Sequence, residues 1–353
     1  MDNTEGDNGN VINETELFAK YKSSYVTPIF ETIVTLSQLG VGNYFLFVLK
    51  DSYSVYFLIP VMVLLNFRMF MFLHDCVHES FTPNKTLNYA IGSVASVVTN
   101  CVSMNWALDH HVHHQTNGNV TNKFHYAYNE TTLITYNKYA KLGKMGRIMA
   151  KILLHPMIQF PLLAFFHFHV NQRFIYIVKK IKYKSKIQES MFMICFNHFF
   201  YNAGSFGLYY FMHQHGFLHL HFMYVFISQI IGVMMFFNQH TFNAPYMVTN
   251  EEWTQRNSGL LGSSLILFPN WLKYFFFGIE YHHIHHINAK IPGYNLQKYH
   301  DEVVRNSDVF DGIVKLSLAD CYNNLWLAMY DEDGKRFLTL QEADKKMEDE
   351  KSK

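Results

Sequence analysis

Histidine is the residue through which this sequence could do chemistry. Of 353 residues 21 are His, and ten of these fall in three clusters: His74-Asp75-Cys76-Val77-His78, His110-His111-Val112-His113-His114 and His282-His283-Ile284-His285-His286. On a helix, positions i, i+3 and i+4 share one face. HxxxH therefore aims two imidazoles at one point, and HxxHH aims three. Together the segments offer eight such rings, and His240, where an apolar stretch ends, is a ninth candidate. Neutral imidazole is a borderline ligand that suits Fe, Zn, Cu and Ni. A structural zinc is satisfied by four ligands and a catalytic one by three. Eight or nine histidines exceed one ion and fit two, each with a position left open for oxygen. Two redox metals allow dioxygen to be reduced and an unactivated CH₂ to lose hydrogen, which side chains alone do not achieve. One HxxxH pair is a frequent accident of a helix surface; three boxes, each at the edge of an apolar segment on the same side, are not.

The remaining histidines carry less. His111 and His283 occupy the x positions of their boxes and are expected to point away from the metals. His213, His215, His219 and His221 surround a loop at the opposite end and read as interfacial polar groups, while His167 and His169 read as packed. His125, His155, His198 and His300 give no signal. Asp75, beside the first ligand, is expected to accept the spare N–H of a metal-bound histidine. No general acid or base is assigned beyond the metal ligands.

These groups must be held by something, and the composition says it is membrane-embedded. Only 16% of residues are charged, against a usual quarter, while 33 Phe and 23 Tyr are many. A net charge of +1 makes no electrostatic case for nucleic acid. Cys76, Cys101, Cys195 and Cys321 lie far apart and suggest no disulfide framework or CxxC site. A spanning helix needs about 20 mostly apolar residues, and four stretches qualify: 29–49, 54–73, 189–211 and 217–237. The stretch 87–108 is apolar too, but about 30 residues separate His78 from His110, and two crossings need about 40. It is expected to dip into the bilayer or lie along its surface, as is 156–170. Arg68, inside the second span, must snorkel or pair, with a carboxylate near the site or a lipid headgroup.

The division of the chain is a polar arm over 1–25, a catalytic domain over 26–305 and a charged tail over 306–353, helical or frayed. The N-terminus lacks the basic and apolar regions of a signal peptide, so no cleavage is expected. Lys144, Arg147, Lys151, Arg173, Lys179, Lys180, Lys182 and Lys184 lie in the loop on the histidine side. That side is therefore expected to face the cytosol, leaving the sequons at Asn84, Asn119 and Asn129 unmodified. The fold class is all-α integral membrane: four transmembrane helices with a cytosolic helical cap holding a di-metal site.

The run HDCVHES from His74, then Trp106 and HHVHHQTNGN, then EYHHIHHINAKIPGYNLQKYHDE from Glu280 to Glu302, resembles the membrane fatty acid desaturases. It is most similar to the omega-6 (delta-12) and omega-3 acyl-lipid or acyl-CoA type, from about Arg68 to about Glu302. Gln239-His240 and Gly262-Ser263-Ser264 are similar to that subgroup as well. The resemblance implies two irons held by His74, His78, His110, His113, His114, His240, His282, His285 and His286. It implies an acyl chain in a bent tunnel past the metals, with electrons from an outside donor, cytochrome b5 or ferredoxin. Departures exist: TFNAPYM at 241–247 lacks a common acidic and aromatic run, Glu280 stands where glycine is common, and Phe236 replaces an asparagine that in some relatives holds a metal-bound water. These touch regioselectivity rather than metal binding. No HPGG-type haem motif occurs, so a fused cytochrome b5 domain is not expected.

The function expected is an oxygen-dependent fatty acyl desaturase in a membrane, the endoplasmic reticulum if the chain is eukaryotic. Two rivals are a di-iron lipid hydroxylase or carotenoid ketolase, and a non-enzymatic membrane metal-binding or transport protein. The NAKIPGYNLQ segment favours desaturation over the first. Against the second, transporters place ionisable ligands near the bilayer midplane, whereas these boxes flank the apolar segments.

Overall fold

The structure, a computed structural model, describes residues 18–121, 134–175, 191–304 and 311–352. Residues 1–17 of the expected polar arm, the sequon at Asn129, His125 and the lysines at 179–186 lie outside these residues. The fold is mostly helical. Long helices α1 (Val26–Val48), α2 (Ile59–Val77), α8 (Met191–Gln214) and α9 (Leu218–His240) frame it. Between them come α3 (Lys85–Thr99), α4 (Ser103–Thr116), α5 (Tyr136–Ala140), α6 (Lys144–Leu153) and α7 (Pro156–Phe165), the last continued by a π-helical stretch, Phe166–Ile175. Beyond α9 the described residues form six short helices: α10 (Gln255–Leu260), α11 (Asn270–Phe276), α12 (His282–Ile287), α13 (Gly293–Glu302), α14 (Leu318–Asn324) and α15 (Leu340–Lys351).

Among the described residues two helices, Tyr53–Val77 and Leu218–His240, are long and apolar enough to cross a membrane, so this is a membrane protein. Two further helix pairs pass the same test only together. The α3–α4 pair is bent by 101°, and the pair Lys144–Leu153 with Pro156–Arg173 by 74°. The first bend has a local cause. Asn100 adopts the left-handed conformation (φ 57°) that closes α3, a conformation asparagine tolerates better than most residues. The stretch 87–108 thus folds back toward the end of α2 from which it left, as the distance between the first two boxes requires. Gly92 lets α3 lie close on α2, since a Cβ there would sit 3.3 Å from Cys76 Cβ. Asn66 of α2 donates to Val98 O at 3.1 Å and ties the two helices polar-to-polar.

Arg68 is 2% exposed, and its partner is Glu31 of α1, at 2.5 Å. It also donates to Thr35 Oγ1 at 3.0 Å and to the Tyr274 carbonyl, and it stacks over the Tyr274 ring at 3.9 Å. The carboxylate expected near the site is instead on the first long helix, and the two polar residues that weakened α1 and α2 as apolar segments neutralise each other. Arg68→Met should therefore lower the thermal midpoint of the detergent-solubilised protein by the equivalent of about 3–5 kcal/mol, because Glu31 is left uncompensated. Arg68→Met with Glu31→Gln should recover part of that loss, and additive losses would contradict the pairing.

Among the described residues five short strands form two small sheets, which the all-α expectation lacked. β1 (Ile134–Thr135), β4 (Leu327–Asp331) and β5 (Arg336–Thr339) form one, with β1 parallel and β5 antiparallel to β4. β2 (Ser264–Ile266) pairs in parallel with β3 (Val314–Leu316). Strands of two to five residues are too short to show an alternating pattern. Through them the charged end of the chain is built into the fold: Ala328, Met329, Leu338 and Ala343 pack with Tyr136 and Tyr139 in a satellite core. A capping box of Thr339 with Glu342 starts α15. At the other end, Tyr21 is buried against Tyr299, with ring centres 5.1 Å apart, and Asn295 donates to Tyr21 O at 2.9 Å. Residues 18–25 are therefore not wholly a free arm.

Candidate metal centre

Each histidine box sits where a helix meets the edge of the long-helix bundle. His74 lies in the last turn of α2 and His78 is its C-cap. His110, His113 and His114 ride on one face of α4, which the bend at Asn100 turns toward α2. His282, His285 and His286 make up half of α12, and His240 ends α9. Their side chains converge in two groups, His74, His78, His110 and His285 in one and His113, His240, His282 and His286 in the other, with possible ligand atoms within 4.8 Å of one another in each. His114 stands between them. Its Nε2 lies 3.1 Å from His110 Nε2 and 3.0 Å from His285 Nε2, and its ring stacks on His286 with centres 4.1 Å apart. All nine histidines named from the sequence meet here.

The donor set fits metal ions better than it fits hydrogen bonding. His113 Nε2 lies 3.0 Å from His240 Nε2 and 3.1 Å from His286 Nε2, and His240 Nε2 lies 2.9 Å from His282 Nε2. Each contact sets ring nitrogen against ring nitrogen, and a neutral imidazole carries one proton for two nitrogens. Two bonds of about 2.1 Å at a right angle leave their ligand atoms roughly 3 Å apart, which is the spacing found. His78 Nε2 is buried with no hydrogen-bond partner among the described residues. Burial first, and then the neighbouring imidazoles, hold His282, His285 and His286 well below the usual imidazole pKa. They are neutral at neutral pH, the form that binds metal.

Support behind the ligands is specific. Asp75 Oδ1 lies 3.0 Å from His74 Nδ1, and its Oδ2 accepts the Gly293 N–H at 2.6 Å. Gly293 is required there, because a Cβ would lie 2.3 Å from Phe277 O. His240 Nδ1 donates to Gly262 O at 2.8 Å. Asn117, one residue past α4, donates to that same carbonyl at 3.1 Å and accepts from Trp253 Nε1 at 2.7 Å. Trp106 stacks on His110, with centres 4.2 Å apart and planes 18° apart. The sequence pointed to Asp75; the roles of Gly262 and Gly293 were unreadable, although both fall in the family-like runs. Asp75→Ala is expected to weaken metal binding about 10- to 100-fold in competition with a chelator, and unchanged affinity would remove Asp75 from the site.

The x-position histidines divide. His111 is exposed, its ring 5.5 Å from that of His78. His283 faces away from the metal groups but is fully buried, near His300, and burial pushes its pKa down to about 3. His167 and His169 are packed, 2.9 Å from Gln172 and 3.1 Å from Gln229. None of His213, His215, His219 or His221 joins a metal-binding group among the described residues. Glu280, the departure from the usual glycine, is 1% exposed, and burial raises its pKa to about 7.

A cavity opens beneath the two groups, between α2 and α9. His74, His110 and His282 form its roof, and Phe70, Met71, Phe168, Val233 and Phe236 supply apolar walls. Phe236 sets its ring against His113 and His240, at 4.6 and 5.2 Å, so an apolar surface reaches these histidines. Buried imidazoles above and hydrocarbon-like walls below suit an apolar chain held against a metal centre.

The sequence matches the family model for fatty acid desaturase over residues 52–311. Among curated proteins, a fatty acid desaturase of Bacillus subtilis is 26% identical over 277 residues, covering 78% of this chain and 74% of that protein. An sn-1 oleoyl-lipid 12-desaturase of Picosynechococcus is 22% identical over 264 residues, 71% of this chain and 70% of the other. An sn-1 acyl-lipid omega-3 desaturase (ferredoxin) of Synechocystis is 31% identical over a shorter stretch of 124 residues, 34% of this chain and 33% of its own.

Proposed function

Because the chain belongs to the fatty acid desaturase family, we propose that it is a di-iron, dioxygen-dependent acyl desaturase of the delta-12 or omega-3 acyl-lipid type. The convergence of nine buried or nearly buried histidines, eight in two adjoining groups and His114 between them, above an apolar cavity carries the proposal. The reaction balances as –CH₂–CH₂– plus O₂, two electrons and two protons giving –CH=CH– and two waters. Iron bound by the nine histidines would supply the one-electron chemistry that uses dioxygen to take hydrogen from CH₂.

The protein's own part is positioning and exclusion. His74, His78, His110 and His285 would hold one ion and His113, His240, His282 and His286 the other, with His114 between them. Asp75 fixes the tautomer and orientation of His74, and Gly262 O does the same for His240. Trp106 and Phe236 pack against ligand rings and keep water from them. Phe70, Met71 and Val233 give the bound chain an apolar wall, so its CH₂ groups are presented to the roof of the cavity.

Four spans, α1, α2, α8 and α9, would put both chain ends and every histidine box on one side, the cytosolic one by the bias of Lys and Arg. An external donor there would supply the electrons; ferredoxin, in the name of one relative, and cytochrome b5 are the two classes. Expression in a host whose lipids are saturated and monounsaturated, followed by fatty-acid profiling, tests the reaction. A new double bond with no added oxygen is expected. A hydroxylated or ketone product would overturn it.

A further inference from the structure

We infer that α6 lies in the plane of the bilayer surface on the metal side, with its apolar face in the acyl boundary and its cations on anionic phospholipid headgroups. This placement rests on the membrane reading above. The helix has three faces. Ala150 and, just beyond its end, Leu154 pack on the satellite core, and Lys151 pairs with Asp344 of α15 at 2.5 Å, so one face is fixed to the protein. Met145, Ile148, Met149, Ile152 and Leu153 form a second face at spacings of three and four residues. They are 70, 43, 47, 45 and 46% exposed, and no residue of the helix is buried. Lys144 and Arg147 form the third, flanking the apolar strip, and no acidic residue occurs from Lys141 to His155.

Five large apolar side chains side by side in water are unusual. An apolar face bordered by cations is how a helix lies in a membrane interface, its basic side chains reaching the headgroups. The bend fixes the direction. The arm Pro156–Arg173 packs along α9, with Phe160 and Phe237 ring centres 5.2 Å apart, and α6 meets that arm at 74°. With the arm packed against the spanning helix, the 74° turn takes α6 out of line with it. Met157, 78% exposed at the corner, prolongs the apolar strip toward the arm. The same arm carries Phe168 into the cavity wall, so docking of α6 sets the level at which that wall stands. A run of cations without a carboxylate selects a negatively charged bilayer over a neutral one.

The test uses the full chain in nanodiscs of phosphatidylcholine with or without phosphatidylglycerol, with nitroxide labels on single cysteines along 144–153 and Cys195 and Cys321 replaced by serine. Accessibility to oxygen relative to an aqueous nickel reagent should oscillate with the helical period and peak at 145, 148, 149 and 152. A flat, water-like profile overturns the placement. A label at Ile227 on α9 should be lipid-facing in either case, and a water-like signal there would instead overturn the membrane reading itself. For the headgroups, the purified wild type should retain phosphatidylglycerol over phosphatidylcholine severalfold, and Lys144→Gln with Arg147→Gln should bring that ratio close to one at unchanged iron content. Equal retention by wild type and variant overturns the anionic preference.

Discussion

Replacing His113 by alanine should abolish the new double bond, with product falling by more than about 100-fold, beyond what disturbing a ligand's support alone costs. His113 is the ring whose Nε2 meets both His240 and His286, so its loss opens the second group at its centre. His111→Ala, two residues away and exposed, should keep most of the activity. Fatty-acid profiles of cells making equal amounts of each protein decide the matter. Product that survives His113→Ala, or is lost equally in both variants, would mean the ligands are misassigned.

The second large effect is expected in the cavity. Gly232 of α9 lines it, and a Cβ there would meet Phe67 Cε2 at 3.7 Å, an ordinary contact. Gly232→Ala should be close to silent. Gly232→Phe puts an aromatic ring into the space proposed for the acyl chain and should cut turnover about 100-fold, the scale of misplacing a substrate by an ångström or so. Iron content should not change, because Gly232 touches no ligand. Full turnover in Gly232→Phe would move the acyl chain elsewhere, and loss of iron would mean that the ring disrupts the helix rather than the cavity.

How far the sequence could be read follows from the range of its signals. The box spacing acts within one helical turn, and α4 and α12 present their histidines as that spacing requires. The folding back of 87–108 was readable because a length of chain limits where it can go. Asp75 could be named because it touches its sequence neighbour His74. Its second contact, to Gly293, lies 218 residues away, and Arg68 finds Glu31 across 37 residues; no local pattern encodes either. The strands β1 to β5 take their stability from pairing across the chain, and the charge of the C-terminal segment concealed the packing of Ala328, Met329, Leu338 and Ala343 into a core. His283 looked like its fellow x-position residue His111, yet tertiary packing buries one and exposes the other.

Metal analysis of the purified, active protein tests the central claim most directly. Two irons per chain, with negligible zinc and a spectroscopic signature of magnetically coupled ions, are the predicted result. One zinc per chain, or iron at a single isolated site, would contradict it.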